Sequence, residues 1–241
     1  MSTTSNGGHR ESVFTTKAKK CELLNCAASL PLSLSWEDLA AQTGRWKAAA
    51  MTIEVRPAVD FDDLATMNGP KRPDANSCWC LSYRLLSSTE NNVLRGPARG
   101  ERMRELVELD PPPGVLAYDG DDVVGWAAVH PRADTSYAKN RRIPHVDDLD
   151  VWSVWCIRVR PGFRGHGISH ALLAGAVDFA LAHGAPAIEG YPVDNRGAKV
   201  EQTMAYVGTR ALFEKAGFSH AADTTSVLDG FPRVLMRLPL A

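Results

Sequence analysis

This chain lacks an excess of either charge: 27 lysines and arginines stand against 28 aspartates and glutamates, for a formal net charge of -1. Nucleic-acid binding draws affinity from a clustered basic surface that releases counterions, and no such surplus exists here. The chain also lacks any apolar run of the ~18–20 residues that cross a bilayer. The closest imitation follows the basic stretch 17–20, where Cys21 to Leu34 is loosely apolar. Glu22, Asn25 and Pro31 interrupt it and no small-x-small cleavage site follows, so it does not read as a secretion signal. Cysteine is scarce, at 21, 26, 78, 80 and 156. An odd number without regular spacing argues against a disulfide framework and fits a reducing, cytoplasmic setting. Cys78-Trp79-Cys80 is CxC rather than CxxC, and no second Cys/His pair sits at finger spacing, so no metal is expected. Two nucleotide motifs are missing as well. No GxxxxGK[ST] run occurs, and Gly165-His166-Gly167-Ile168-Ser169-His170 is GxGxxH where the dinucleotide fingerprint ends in glycine.

What is present suits one globular domain with an appendage: 241 residues, 44% of them hydrophobic. Residues 1–50 open on the polar Met1-Ser2-Thr3-Thr4-Ser5-Asn6-Gly7-Gly8, with little to bury. They read as an N-terminal extension dispensable to the fold, upstream of a second start at Met51. From there the domain 51–241 begins with the alternating strand Thr52–Arg56. Helices are expected at about Phe61–Met67, Ser77–Leu86 and Ala98–Leu109, the last stopped by Pro111-Pro112-Pro113-Gly114. A hairpin, Val115–Tyr118 and Val123–His130, turns at Asp119-Gly120-Asp121-Asp122. Residues 131–150 form a polar loop. A strand at Trp152–Arg160, a helix at Ile168–His183, a strand at Ala187–Val193, a helix at Tyr206–Ala216 and strands at Phe218–Ala222 and Val234–Leu238 complete the order. Helices alternating with strands around a hairpin predict a mixed α/β sheet. The helix after Gly167 is the clearest element: Ile168, Leu172, Gly175 and Phe179 share one face, and Gly184 stands where a left-handed cap belongs.

Chemistry concentrates just before that helix. A strand ends at Arg160, Pro161-Gly162 turns the chain, and Arg164-Gly165-His166-Gly167 leads into the first helical turn. That turn leaves backbone N–H groups unpaired and carries the positive end of the helix dipole. The glycines admit a ligand close to the backbone, and arginine adds a planar fork of donors for phosphate oxygens. The construction is an anion cradle suited to a pyrophosphate.

These residues resemble the R/Q-x-x-G-x-G/A signature of the GNAT superfamily of acetyl-CoA-dependent N-acyltransferases, with Ser169 at the small last position. Ile157-Arg158-Val159 is similar to the strand whose backbone meets pantetheine in that family. Phe213-Glu214-Lys215-Ala216-Gly217-Phe218 resembles its Y/F-E-K-x-G-F helix ending. The Cys78-Trp79-Cys80, Tyr83-Arg84, Trp152-Ser153-Val154 and Glu189-Gly190-Tyr191-Pro192 segments together look like a small actinobacterial-type subgroup with a CWC motif. The resemblance implies a mostly antiparallel twisted sheet with splayed central strands and flanking helices. It implies acetyl-CoA as co-substrate, held by Ile157, Arg158, Val159, Arg164, Gly165, His166, Gly167, Ile168 and Ser169. It further implies direct attack of an amine on the thioester, with a strand N–H serving the thioester oxygen.

In that family a tyrosine acid stands where this chain has Phe213, which has no proton to give. Tyr206, two helical turns earlier, is the alternative acid, although a CoA thiolate is stable enough to leave without help. Glu189 is the expected base, with Asp194 or a chain of waters as alternatives. Carboxylates of the 131–150 loop (Asp147, Asp148, Asp150), with Trp79, Tyr83, Trp152, Trp155 and Tyr191, form the candidate acceptor site for a small-molecule amine or a protein lysine. The expected assembly is a monomer or homodimer. A catalytically silent acyl-CoA-binding module is the alternative, because of Phe213.

Overall fold

The computed structural model describes residues 51–240 apart from 73–74, 85–86 and 202–204. The expectation for residues 1–50 lies outside the described residues. By its contacts, Ala48–Ala241 forms one compact unit.

Seven strands run β1 (Ile53–Pro57), β2 (Gly114–Asp119), β3 (Asp122–Pro131), β4 (Trp152–Val159), β5 (Ala187–Gly190), β6 (Ser219–Leu228) and β7 (Phe231–Pro239). Among the described residues five α-helices accompany them: α1 (Phe61–Asn68), α2 (Ser88–Val93), α3 (Pro97–Val107), α4 (Ile168–Ala182) and α5 (Arg210–Lys215). The sheet order is β1-β2-β3-β4-β5-β7-β6. Only β4 and β5 pair in parallel; the other neighbours are antiparallel. The mixed α/β sheet expected from the sequence is therefore present.

Local chemistry explains the elements. The Asp60 carboxylate caps α1 by accepting from the N–H groups of Asp62 and Asp63 at 2.8 and 3.0 Å. Ser87 caps α2 from the Glu90 N–H at 3.0 Å. Along β2, Leu116 and Tyr118 enter one core cluster while Val115 and Ala117 enter the other, so both faces of the strand are covered. On the first face lie α1 and α3, through Leu64, Met67, Met103 and Leu106. On the second lie α4 and α5, through Ile168, Leu172, Phe179 and Phe213. Side chains such as Leu172 and Phe179, so enclosed, contribute about 1.5–3 kcal/mol each.

Three irregularities shape the middle of the sheet. The β3–β4 register shifts between Ala128 and Val129, so that Cys156 and Val154 are paired and Trp155 is not. This bulge turns both Trp155 and Cys156 toward the α1/α3 face. Pairing of β4 with β5 then ends at Val154–Gly190, and the two strands part. At that parting, a Cβ on Gly190 would sit 2.1 Å from the Phe213 ring, so glycine alone lets α5 approach.

Several expected elements change. Of the helix expected over 77–86, the described residues 77–84 form none, because Trp79 and Cys80 adopt φ of 50° and 53°, and the short 3-10 turn Leu81–Tyr83 follows. Arg99 on α3 anchors this segment, donating to the carbonyls of Cys78, Asn91 and Leu94. The strand expected to reach Val193 stops at Gly190, and Val193 makes only isolated bridges. Tyr206 precedes α5 rather than lying on it, in a turn that ends at Gly208 with φ 100°. The closing strands are longer than expected because Asp229-Gly230, at φ 52° and 77°, makes a tight hairpin between them.

Candidate active site

The parting of β4 and β5 opens a cleft of about 1580 Å³. Its walls come from β4, the turn into α4, the segment 76–83 and the segments 199–201 and 205–212.

At the end expected to hold phosphate, the turn into α4 presents an open backbone. Gly165 and Gly167 hold φ of 84° and 79°, a left-handed backbone that glycine adopts without strain. Gly167 is the N-cap of α4 and has no capping side chain. The N–H groups of Gly165 to Ser169 donate to no backbone carbonyl among the described residues. A Cβ built on either glycine would meet nothing within 4 Å. Unpaired amides, a helix N-terminus and open space together fit a diphosphate. Arg164, Gly165, Gly167, Ile168 and Ser169 line the cleft here; His166 is exposed and does not. Among the described residues lining the cleft, Arg158, Arg164 and Lys199 outnumber the one carboxylate, Glu201, a balance that favours an anionic guest.

Ile157, Arg158 and Val159 line the next stretch. Beyond Val154 this edge of β4 has no strand on the β5 side. The Ile157 N–H is taken up by the Tyr206 carbonyl at 2.6 Å. Alternation along the strand puts the Val159 N–H on that same edge, one residue pair onward.

At the far end stands Tyr206. Its hydroxyl lies 2.5 Å from that of Tyr83 and accepts from Arg233 Nη2 at 2.9 Å. A guanidinium can only donate, so the hydroxyl keeps its own proton for Tyr83 or for a third partner. Burial, reinforced by Tyr83, holds the Tyr206 phenol well above its ordinary range, so it stays protonated. Tyr83 in turn stacks on Tyr137 at 4.5 Å between ring centroids.

Glu189 does not join these residues. It is fully buried beneath the sheet's parting, outside the cleft lining. Arg237 donates to its Oε1 through Nε at 2.9 Å and Nη2 at 2.6 Å. Arg132 Nη1 and the Tyr191 hydroxyl donate to Oε2 at 3.2 and 3.1 Å. Both oxygens are thus engaged, and no face of the carboxylate reaches a substrate. Asp194 likewise pairs with Arg210, at 3.2 Å. Phe213 is fully buried against Gly190 and edge-on to Phe218, so it belongs to the core rather than the cleft.

The expected acceptor surface also divides. Tyr83 and Trp155 line the cleft, whereas Trp152 packs on Phe179 on the other face and Tyr191 is fully buried. Asp147 is bound to Arg237, and the 131–150 loop sends Tyr137 and Ile143 into the core instead of charges into the cleft. The cleft residues that the sequence left unnoticed include Asn76, Ser77, Lys199 and Glu201. No periodicity or motif marks them; only the path of the chain brings them to the opening. Among the described residues no group of histidines, cysteines and carboxylates could hold a metal, and no helix is long and apolar enough to cross a membrane.

Comparison with known proteins adds the following. A family model described as the acetyltransferase (GNAT) family matches residues 82–218. No curated protein matches in sequence. Among solved structures, a GNAT-family protein from Desulfovibrio desulfuricans is similar at 20% identity, covering 79% of this chain and all of that one, with a TM-score of 0.45. A GNAT-family acetyltransferase from Bacillus cereus is 14% identical over 79% of this chain and 99% of its own, with a TM-score of 0.45. A Salmonella typhimurium protein solved with its cofactor acetyl-CoA is 16% identical over 78% of this chain and 94% of its own, with a TM-score of 0.43.

Proposed function

Because the chain belongs to the acetyltransferase (GNAT) family, we propose that it moves the acetyl group of acetyl-CoA directly onto a primary amine of a small molecule or protein. The family makes the chain an acyltransferase that uses acetyl-CoA; the acceptor and the roles below are our reading. The observation that carries it is the cleft itself, which joins an anion cradle at one end to a buffered tyrosine hydroxyl at the other.

In this reading Gly165, Gly167 and the first turn of α4 hold the pyrophosphate through backbone amides, with Arg164 and Arg158 adding charge. The exposed β4 edge orients the pantetheine arm, and the Val159 N–H is a donor within that edge. The amine nitrogen attacks the acetyl carbonyl carbon, the carbon–sulfur bond breaks, and the amine proton passes to solvent in the open cleft. The departing thiolate takes a proton from Tyr206, which burial and Tyr83 keep protonated and which its hydrogen bonds to Tyr83 and Arg233 hold in place. Glu189 acts through architecture alone: it fastens β5, β7 and the Arg132 turn together below the parting of the strands.

The presence of a cleft hydroxyl at Tyr206 also favours turnover over a silent binding module, since the module reading rested on Phe213. The test has two stages. Acetyl-CoA should raise the melting temperature of the protein, because it binds the native state. Thiol release should then appear with at least one member of an amine panel. A protein that neither binds nor consumes acetyl-CoA would refute the reading; one that binds but releases no thiol beyond background with any amine would restore the silent module.

A further inference from the structure

Cys80 and Cys156 lie far apart in sequence, yet their sulfurs meet 2.9 Å apart on the floor of the cleft. Both residues line it, and each is only 6% exposed. Two irregularities of the backbone bring them together. The left-handed Trp79 and Cys80 turn the chain back toward the sheet, and the β4 bulge swings Cys156 onto the same face as Trp155. The Trp155 Nε1 then donates to the Cys80 carbonyl at 3.1 Å and clamps the two segments. Nothing in the acetyl transfer above uses either thiol.

The surroundings are reactive rather than inert. The Asn68 Oδ1 accepts from Cys80 Sγ at 3.6 Å and from Arg158 Nη1 at 3.0 Å, which places a guanidinium beside Cys80. The contact with Cys156, helped by Arg158, holds the Cys80 thiol below its ordinary value, while the same contact raises Cys156. One thiol is therefore biased toward the thiolate and its neighbour toward the protonated form, as a nucleophile and a resolving partner require. Cys78 is exposed and directs its sulfur to Ser82 at 3.2 Å, away from the pair.

We propose that Cys80 and Cys156 form a dithiol site that a small peroxide oxidises to an intrachain disulfide. The Cys80 thiolate attacks one peroxide oxygen, the O–O bond breaks, and the sulfur is left as a sulfenic acid with release of one water. Cys156 then attacks that sulfur; the S–S bond forms, and the hydroxyl leaves with the Cys156 proton as a second water. Two thiols and one peroxide give one disulfide and two waters. The slight exposure of both sulfurs selects a small oxidant. Closure to the ~2.05 Å of an S–S bond needs a movement of under about 1 Å, which the cleft floor can absorb. The product pins the segment carrying Tyr83 to β4, beside the cofactor edge.

The test is to treat the full chain with stoichiometric hydrogen peroxide, block remaining thiols, and map peptides by mass spectrometry. The expected result is a 80–156 cross-linked peptide, loss of two alkylatable thiols per chain, and their return with dithiothreitol. The bridged protein should also melt higher by roughly 5–10 °C, because the link closes a long loop of the unfolded chain. Cys78→Ser should form the same bridge, and Cys80→Ser should not. Thiols at 80 and 156 that stay alkylatable, proceed to sulfinic acid, or pair instead with Cys21, Cys26 or Cys78 would overturn the proposal. Because the readout counts thiols and not acetyl transfer, it stands or falls apart from the enzymatic reading.

Discussion

Replacing Gly167 by aspartate should destroy cofactor binding and leave the fold standing. The left-handed backbone at 167, with φ 79°, costs a non-glycine residue about 1–2 kcal/mol. Aspartate recovers little of this, because glycine is itself an accepted N-cap residue and trails aspartate there by only about a few tenths of a kcal/mol. No atom lies within 4 Å of the new Cβ, so no clash is added. Stability should therefore fall by about 1–2 kcal/mol. The ligand meets a different situation. A carboxylate about 5 Å from one phosphate charge, at an effective dielectric near 20, repels it by about 3 kcal/mol. That corresponds to a loss of roughly 150-fold in acetyl-CoA affinity. Calorimetric titration measures it, and Gly167→Asn supplies the control of equal shape without charge. Asparagine should retain affinity within a few-fold, and the aspartate deficit should shrink as salt rises, since screening weakens an exposed repulsion. Binding by the aspartate variant within threefold of wild type would refute the cradle. An asparagine variant that fails equally would show that backbone strain, not phosphate charge, governs the site.

Four further predictions concern Tyr206, Glu189 and His130. Tyr206→Phe removes the hydroxyl shared by Tyr83 and Arg233, and should lower kcat about 10²-fold with acetyl-CoA affinity retained; unchanged thiol release would take the acid role from Tyr206. Its raised phenol also means that kcat should show no alkaline decline from tyrosine ionisation below about pH 10. Glu189→Gln leaves the buried Arg132 without its counter-charge and the half-buried Arg237 with Asp147 alone, and should cost about 3–5 kcal/mol in urea unfolding while the folded fraction keeps its kcat. Normal stability with lost turnover would instead return Glu189 to the base role. His130 is buried, and burial, with Arg84 nearby, pushes it down to about 4. The unfolded chain then binds the proton first as pH falls, so stability is full above about pH 6.5 and drops by about 3 kcal/mol on approaching pH 4. Urea titrations across that range should show the loss in wild type and its absence in His130→Gln.

The sequence by itself determined the cradle and the elements around it. Arg164 to Ser169 needs only neighbours in the chain: a strand ending, two glycines, and the amphipathic start of α4 that they cap. Those are local constraints, and local spacing expresses them. The mixed α/β sheet was legible for the same reason, through the hairpin at 114–131 and the 3.6-residue pattern of α4. The Asp229-Gly230 turn is equally local, yet the closing strands were expected only at Phe218–Ala222 and Val234–Leu238. Only the tertiary structure decided the chemistry beyond the cradle. Glu189 reads as a strand carboxylate near the active centre; its fate depended on Arg132 and Arg237, each about 50 residues away, which neutralise it in the interior. Tyr206 reads as a helical residue aligned with Phe213; it sits instead in a turn, where Tyr83 and Arg233 meet its hydroxyl. The parting of β4 from β5 depends on Gly190 receiving the Phe213 ring, and the Cys80–Cys156 contact depends on a bulge at Trp155. Such features arise from which segments pack together, and a buried charge, a bulge or a splayed edge takes its meaning from partners that spacing along the chain does not name.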